Sequence, residues 1–328
     1  MPALANPHPV LAEEKTLTPF ATALKAEQPF RGYELSVCLA SEEHSAVFRA
    51  HDQTLGKMAV VKALRPWPDR PGAVEEFFSL AGSTARVRQP QLARGLDVGR
   101  GQIGLAGNDR GESVFFMVYA PAEGRNLSDY LAKRHNGRLR ETEALRLVED
   151  IASILQRLFE SGQSFRDLSP GRILLGRNNR VTLVGFGFAW NLAWPEDQLA
   201  YLARPHYLAP ERIAGEINLD IRSDLYALGC LWHQLLLGCP VFDAVSPQLI
   251  LKSHREDLPT SPRERDPKIS AATSGLLLRL LAKNRQERPR TPKEFLQQLY
   301  EHPLRENKAV DPDVLSQPEM AEGETTFA

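Results

Sequence analysis

One acidic side chain, Asp167, opens a stretch of this sequence that contains no other acid. In the sequence, Asp167 lies between Arg166 and Arg172, and neither Asp nor Glu occurs from Leu168 to Pro195. A carboxylate can accept a proton from a hydroxyl group, and a guanidinium can neutralise a phosphate. The stretch therefore holds one candidate base with cationic neighbours, but no second acid that could help to bind a metal ion.

Two short strands are predicted to position Asp167. Residues 173–175 and 181–184 are apolar and flank a polar turn, and a phenylalanine between two glycines, Phe186, follows the second strand. The chain before this stretch is rich in predicted strands, at residues 33–39, 46–51, 57–64, 87–98 and 114–119, with an irregular helix at 72–88 and a glycine-rich loop at 99–112. The chain after Gly124 is mainly helical, with helices predicted at residues 144–158, 224–237, 276–283 and 291–300.

Composition excludes several classes of protein. The chain has 328 residues, of which 42% are hydrophobic and 25% charged, so it can bury a sizeable core. A net charge of -1 gives no support for a nucleic-acid partner or an acidic membrane surface. Three scattered cysteines are too few for a disulfide framework or a zinc site, and neither a signal peptide nor a membrane span is predicted. We therefore expect a cytoplasmic protein with reduced cysteines.

Four motifs in one order resemble the eukaryotic-type protein kinase family, and within it the bacterial Ser/Thr kinases. Residues 165–174 read FRDLSPGRIL, which resembles HRDLKPxNIL, and residues 207–211 read YLAPE, which resembles YxAPE. Residues 222–229, RSDLYALG, resemble the family's next helix, and Arg288-Pro289 resembles its partner for the APE glutamate. The resemblance implies an α+β, bilobal protein-kinase-like fold, with a small antiparallel sheet lobe and a larger, mainly helical lobe.

The resemblance also implies a division of the chain. The protein-kinase-like domain is expected at residues 31–304, with the small lobe at 31–118 and the large lobe at 124–304. Residues 1–30 are expected to form a flexible N-terminal arm with one short helix at 20–25. Residues 305–328 carry six acids against two bases and are expected to form a disordered acidic tail.

The resemblance assigns a candidate base and a nucleotide slot to particular residues. Asp167 takes the position of the base, and Lys62 takes that of the lysine that meets the α- and β-phosphates, although a solvated surface charge is the alternative for a lone lysine. The slot would be lined by Val47, Val60, Met117, Leu174 and Arg172. The glutamate partner of Lys62 stays open between Glu75, Glu76 and neither.

Much of the polar catalytic shell of the family is missing. Arg172 replaces the metal-binding asparagine, and Gly185 replaces the metal-binding aspartate of the DFG turn. Ser169 replaces the supporting lysine, and Arg204 replaces the threonine that braces the base. The three positions of the glycine-rich loop hold no glycine; they are Ala40, Glu42 and Ser45. A carboxylate that anchors magnesium should matter at least as much as one oxyanion donor, roughly 2.7–4 kcal/mol, and although such losses do not simply add, two of them would remove most of a useful rate.

The structural residues of the family are largely kept, namely Arg166, Phe186, Glu211, Asp224 and Arg288, and Phe165 replaces the polar histidine of the HRD motif. The two phenylalanines would form an apolar column. Asp224, at the start of a helix, is expected as an N-cap that holds the catalytic loop, and Glu211 is expected to pair with Arg288 in the interior. No Ser or Thr lies between Gly185 and Glu211, so Arg166 lacks the usual phosphorylated partner in that segment.

These observations favour a pseudokinase that acts as a binding or allosteric signalling module with weak or no phosphoryl transfer. Its partner would be a protein, such as an active kinase or another signalling protein, and neither nucleic acid nor membrane. Two alternatives stay open: an atypical active kinase or other ATP-dependent phosphoryl or nucleotidyl transferase that uses Asp167 and Lys62, and a metal-independent nucleotide sensor. The cofactor would be ATP without a well-formed magnesium site, or none.

Overall fold

A computed structural model describes residues 17–27, 29–41, 45–65, 78, 82, 87–105, 108–186, 204–216 and 219–305. The described residues form two compact units. One contains the residues up to Asn126 together with Leu174–Gly185, and the other contains Leu127–Ile173 and the residues from Phe186 onward. Of the tail predicted at 305–328, residues 306–328 lie outside the described residues, as do most of the predicted helix at 72–88 and Glu75 and Glu76.

The first unit is built on a five-stranded antiparallel sheet. Its strands are β1 (Tyr33–Ser41), β2 (Ser45–Asp52), β3 (Lys57–Leu64), β4 (Gly95–Leu105) and β5 (Asn108–Tyr119), in the order β1-β2-β3-β5-β4. A second sheet has the order β6-β7-β8 and consists of β6 (Arg125–Asn126), β7 (Ile173–Leu175) and β8 (Val181–Leu183). The predicted meander of the first three strands is confirmed, as are the two short strands after Asp167.

In the glycine-rich segment predicted as a loop, residues 99–105 and 108–112 are paired strands. Gly99 lies opposite Phe116 and Gly101 lies opposite Val114 in the β4–β5 ladder. A Cβ atom at Gly99 would lie 2.5 Å from Phe116 Cζ, and one at Gly101 would lie 2.8 Å from the Phe30 ring. These glycines therefore make room for aromatic rings that pack on the strand. In the sequence alone, closely spaced glycines in a strand look the same as those of a loop.

The predicted N-terminal arm contains an ordered helix, α1 (Pro19–Ala26). Thr18 caps it by accepting a hydrogen bond from the Ala21 N–H, and Thr18 N donates to Ser41 Oγ at 2.9 Å. Phe20 and Leu24 are fully buried in the core of the sheet unit. The expectation of a flexible arm is thus wrong for residues 17–27, because the helix buries its apolar face on the sheet, and residues 1–16 lie outside the described part.

The second unit is mainly helical. Its helices are α2 (Leu127–Ala132), α3 (Glu141–Glu160), α4 (Pro210–Ile213), α5 (Ile221–Leu237), α6 (Pro247–Glu256), α7 (Pro262–Arg265), α8 (Ala271–Leu280) and α9 (Pro292–Tyr300). Short 3₁₀ turns occur at His135–Gly137, Pro170–Arg172, Pro205–Tyr207, Arg285–Glu287 and Pro303–Arg305, and another, Arg177–Asn179, joins β7 to β8.

The central helix of this unit, α5, is buried on almost every side and packs against α3 and α8. Trp232, on α5, meets the Phe295 ring of α9 edge to face, with their centroids 6.1 Å apart. Within the described residues, no helix combines the length and the apolar character needed to cross a bilayer.

Candidate functional site

Asp167 is held in an ion pair by Arg172. The Arg172 Nε atom donates to Asp167 Oδ2 at 2.7 Å, and Arg172 Nη2 lies 2.6 Å from the same oxygen. The 3₁₀ turn at Pro170–Arg172 reverses the chain and returns the arginine to the carboxylate five residues earlier. A charge-assisted pair of this kind is among the strongest polar contacts in proteins.

A second arginine, Arg204, reaches the same carboxylate. Its Nη1 atom lies 3.8 Å from Asp167 Oδ1 and donates to the buried Ser169 Oγ at 3.0 Å. The sequence shows these two positions only as losses of the family's lysine and threonine. In the structure, Arg204 donates a hydrogen bond to Ser169 and places a positive charge near Asp167.

The residues at the two metal-ligand positions do not fit a magnesium ion. Arg172 is a cation with no lone pair to offer, and its guanidinium is already engaged by Asp167. Gly185 has no side chain, and its φ of 76° lies in the left-handed region that glycine adopts without strain. Magnesium prefers carboxylate and carbonyl oxygens, so neither side chain can supply what the family supplies here.

Asp224 holds the backbone that carries Asp167, but it is not the N-cap of α5 as predicted. The Phe165 and Arg166 N–H groups each donate to an Asp224 carboxylate oxygen at 2.6 Å. The N-cap is Asp220, which accepts from the Arg222 N–H at 2.8 Å, so the helix begins one turn earlier. Burial raises the pKa of Asp224 to about 6, against the opposing effect of the backbone hydrogen bonds and of nearby arginines.

The backbone of Arg166 has a positive φ angle, and its carbonyl group accepts a hydrogen bond from another arginine. Its φ is 69°, which is uncommon for a residue with a side chain. The Arg212 Nη1 atom donates to the Arg166 carbonyl oxygen. Sequence reasoning did not identify Arg212, although its position directly after the APE motif was a signal that it lies near the catalytic loop.

Two apolar and ionic features predicted from the sequence are present in the helical unit. The rings of Phe165 and Phe186 are buried and stacked, with centroids 6.0 Å apart and planes 8° apart. Arg288 forms a bidentate pair with Glu211, at 2.8 and 2.9 Å, and both side chains are buried. The ring stack and the buried ion pair that the sequence predicts are therefore both present in the unit that carries Asp167.

Val47, Lys62 and Met117 lie side by side across three strands. Val47 is opposite Lys62 in the β2–β3 ladder, and Lys62 is opposite Met117 in the β3–β5 ladder. Directly opposed residues share one face of a sheet, and Val60 shares it by the two-residue period. Lys62 is only 5% exposed, which excludes the solvated surface charge considered for it. Leu174, in β7, is fully buried.

The β1–β2 hairpin lies at the position of the glycine-rich loop, and its register shifts between Leu35 and Cys38 and again between Cys38 and Ala40. Ala40 pairs with Val47 and Ser41 pairs with Ala46, while Glu42 lies outside the described residues. Residues 187–203 also lie outside them, including Tyr201. Tyr207 is half-buried and its hydroxyl donates to Gln234 Oε1, so it is engaged within the helical unit.

Comparisons with known proteins agree on one family. The sequence model of the protein kinase domain matches residues 34–304. A probable serine/threonine-protein kinase SCO3848 of Streptomyces coelicolor is 30% identical over 258 residues, which are 77% of this chain and 37% of that protein. Serine/threonine-protein kinase PknB of Mycolicibacterium smegmatis is 28% identical over 293 residues, which are 88% of this chain and 45% of that protein.

The chain thus spans less than half the length of these curated relatives. Among solved structures, the crystal structure of a mutant of the Mycobacterium tuberculosis PknI kinase domain superposes with a TM-score of 0.63. It is 23% identical, and the match covers 83% of this chain and 96% of that chain. This likeness supports the α+β, bilobal fold that the sequence predicts.

Proposed function

The chain belongs to the protein kinase domain family, on the serine/threonine side of it, and from this premise we propose that it acts as a pseudokinase. Members of the family generally use ATP and a divalent metal. The observation that carries the proposal is the pair between Arg172 and Asp167, with contacts of 2.6 and 2.7 Å. Arg172, at a position where the family has a metal ligand, forms an ion pair with Asp167, at the position of the base.

This pair opposes catalysis in two ways. To accept a proton from a substrate hydroxyl, Asp167 Oδ2 would have to give up two charge-assisted hydrogen bonds from Arg172. The same guanidinium places a positive charge where a metal would bind. With Gly185 unable to ligate either, two groups worth roughly 2.7–4 kcal/mol each are absent, which supports a protein with weak or no phosphoryl transfer.

The framework that remains suits a binding or allosteric module. The Glu211–Arg288 pair, the hydrogen bonds of Asp224 to the catalytic loop and the Phe165–Phe186 stack all stabilise the fold without taking part in chemistry. We propose that the partner is a protein, such as an active kinase or another signalling protein, and that binding takes place in the cytoplasm.

A transfer assay tests the proposal. Purified protein is incubated with γ-labelled ATP, generic protein substrates and either magnesium or manganese, beside the Asp167→Asn variant. We expect no transfer above that of the variant. Transfer that Asp167→Asn abolishes would overturn the proposal, and transfer that persists in excess chelator would favour an atypical enzyme instead.

A second candidate function, metal-independent nucleotide binding, is favoured by the buried Lys62 beside Val47 and Met117. Such a sensor would be stabilised by ATP equally well with magnesium and with chelator. At 100 times the dissociation constant, the stabilisation would be about 2.7 kcal/mol. A thermal-shift titration of the wild type, Lys62→Ala and Arg172→Asn distinguishes the two functions, because a scaffold that binds no nucleotide shows no shift in any of them.

A further inference from the structure

Five arginines lie on three neighbouring segments of the sheet unit, and we call them the arginine surface. They are Arg88, Arg94, Arg125, Arg177 and Arg180. Arg125 is half-buried and the other four are exposed. They come from three separate segments of the chain: the approach to β4, the strand β6 and the turn between β7 and β8. No helical or strand periodicity in the sequence connects them.

Backbone and side-chain contacts bring these segments together. Arg180 Nη2 donates to the Pro90 carbonyl oxygen at 3.3 Å, two residues after Arg88. Leu183 N donates to the Gln91 carbonyl at 2.8 Å, so the approach to β4 runs beside β8. On the other side, Arg125 pairs with Leu175, and the Gly176 N–H donates to the Arg180 carbonyl oxygen at 2.9 Å. The turn with Arg177 and Arg180 therefore lies between β6 and the approach to β4.

The positive charge of four of these arginines is not balanced by an ion pair in the described residues. In the described part of the chain, no carboxylate lies within ion-pair distance of Arg88, Arg94, Arg177 or Arg180. One exposed acid, Glu123, lies on the neighbouring backbone, next to Gly176. Several like charges on one surface repel each other, and an anionic segment that crossed them would relieve this repulsion.

The compensating charge is located in one segment of the same chain. Residues 306–328 contain six acids and a single base, Lys308, and so carry a charge of -5. Residues 1–305 contain 39 basic and 35 acidic residues, a charge of +4. The near-neutral total therefore conceals a basic domain followed by an acidic segment.

We propose that the segment 306–328 docks on the arginine surface of its own chain. Its 23 residues can extend over roughly 80 Å. Exposed ion pairs are individually weak, but tethering gives the segment an effective concentration in the millimolar range. A millimolar affinity in trans is then sufficient for substantial occupancy in cis. This inference is independent of the proposed function.

Competition with a synthetic peptide tests the proposal. The probe is a fluorescein-labelled peptide of residues 306–328, and its binding is followed by anisotropy in 50 mM and 500 mM salt. The acceptors are the wild-type chain and a full-length variant whose six segment acids are changed to Asn or Gln. We expect the neutralised variant to bind the peptide at low salt only, and the wild type to bind it at least fivefold more weakly, because its own segment occupies the site.

Charge-matched substitutions locate the site. In the neutralised background, Arg177→Gln with Arg180→Gln should weaken peptide binding about fivefold, and Arg88→Gln with Arg94→Gln should have a similar effect. The control, Arg263→Gln with Arg290→Gln, removes two exposed arginines of the helical unit and should change affinity less than twofold. Equal binding to wild type and neutralised variant, or equal losses in the test and control pairs, would overturn the proposal.

Discussion

Arg172 Nη2 lies 2.6 Å from Asp167 Oδ2, so the residue at a metal-ligand position neutralises the residue at the base position. The turn at Pro170–Arg172 fixes this arrangement, and Arg204 adds a second guanidinium 3.8 Å from the other carboxylate oxygen. In the sequence, Arg172 and Arg204 each indicate only that a residue of the family's catalytic site has been replaced. Together they place two guanidinium groups beside the one carboxylate of Asp167.

Restoring both ligand types should restore metal dependence to nucleotide binding. The double variant Arg172→Asn with Gly185→Asp frees Asp167 and returns two oxygen ligands, and Asp tolerates the positive φ of position 185 better than most residues. If the variant binds ATP only together with magnesium, then at ATP ten times above the dissociation constant measured with the metal, magnesium should add about 1.4 kcal/mol of stability, or about 3 °C in Tm, measured by thermal shift. Arg172→Asn alone, the control, should show no magnesium effect. A double variant that ignores magnesium would mean that other residues exclude the metal.

The Glu211–Arg288 pair should contribute strongly to stability. Burial by itself raises the pKa of Glu211, but the hydrogen bonds and charge of Arg288, together with the Ser223 hydroxyl, outweigh it and hold this pKa below its usual value. The pair therefore stabilises the fold above the unfolded pKa of the carboxylate, and this contribution falls as the pH drops through the lowered value. We expect Arg288→Met to cost about 3–5 kcal/mol in urea unfolding at pH 7.

An exposed pair in the same unit provides the control. Arg279 lies 2.7 Å from Glu294, but the two side chains are 41% and 33% exposed. Arg279→Met should therefore cost less than about 1 kcal/mol. Similar costs for the two variants would contradict the view that burial gives the Glu211–Arg288 pair its importance.

The sequence predicted the helices and strands better than it predicted the contacts of the site. Strands β1 to β3 and the Glu211–Arg288 pair follow from periodicity and from motif order. The Arg172–Asp167 pair does not, since it depends on a turn geometry between residues five apart, which no helix or strand period encodes. The paired strands at 99–105 and 108–112 were missed because their glycines make room for Phe30 and Phe116, two rings that are distant in the sequence from Gly101 and Gly99 respectively.

Two glycines in helices should respond in opposite directions to alanine. A Cβ atom on Gly229, in α5, would lie 2.8 Å from Leu280 Cβ, whereas one on Gly275, in α8, would meet nothing within 4 Å. Gly229→Ala should therefore destabilise the protein by about 1–3 kcal/mol through overpacking. Gly275→Ala should stabilise it by about 0.5–1 kcal/mol through helix propensity. Both are measured by urea unfolding, and a Gly229→Ala variant that is at least as stable as the wild type would refute the close α5–α8 packing.

Acid should destabilise the protein through His254. This histidine is fully buried and its Nδ1 atom is 2.8 Å from the Tyr226 hydroxyl, and burial, followed by the charge of Lys283, lowers its pKa to about 3. Near pH 6.5 the histidine of the unfolded state binds a proton, whereas that of the folded state does not. The contribution of His254 to the stability is therefore fully present above that pH and decreases below it. We expect about 2 kcal/mol less stability at pH 5 than at pH 7 from this residue.

The variant His254→Gln removes this contribution. Its unfolding free energy should depend less steeply on pH between 7 and 5 than that of the wild type, whatever its absolute stability. The variant His135→Gln makes the same substitution at an exposed position and controls for the loss of one histidine. An unchanged slope in His254→Gln would show that the buried ring does not control the acid sensitivity.

The helix α1 should be an integral part of the sheet unit rather than an optional arm. Phe20 and Leu24 are 1% and 0% exposed, and the Arg65 guanidinium lies over the Phe20 ring at 5.4 Å. Because the ring fills the core beside β1 and β2, Phe20→Ala should cost about 3–5 kcal/mol in urea unfolding. Thr22→Ala, on the exposed side of the same helix, should cost less than about 0.5 kcal/mol. If Phe20→Ala were as mild as the control, α1 would be only loosely attached, and a domain that begins after it would be as stable as the full chain.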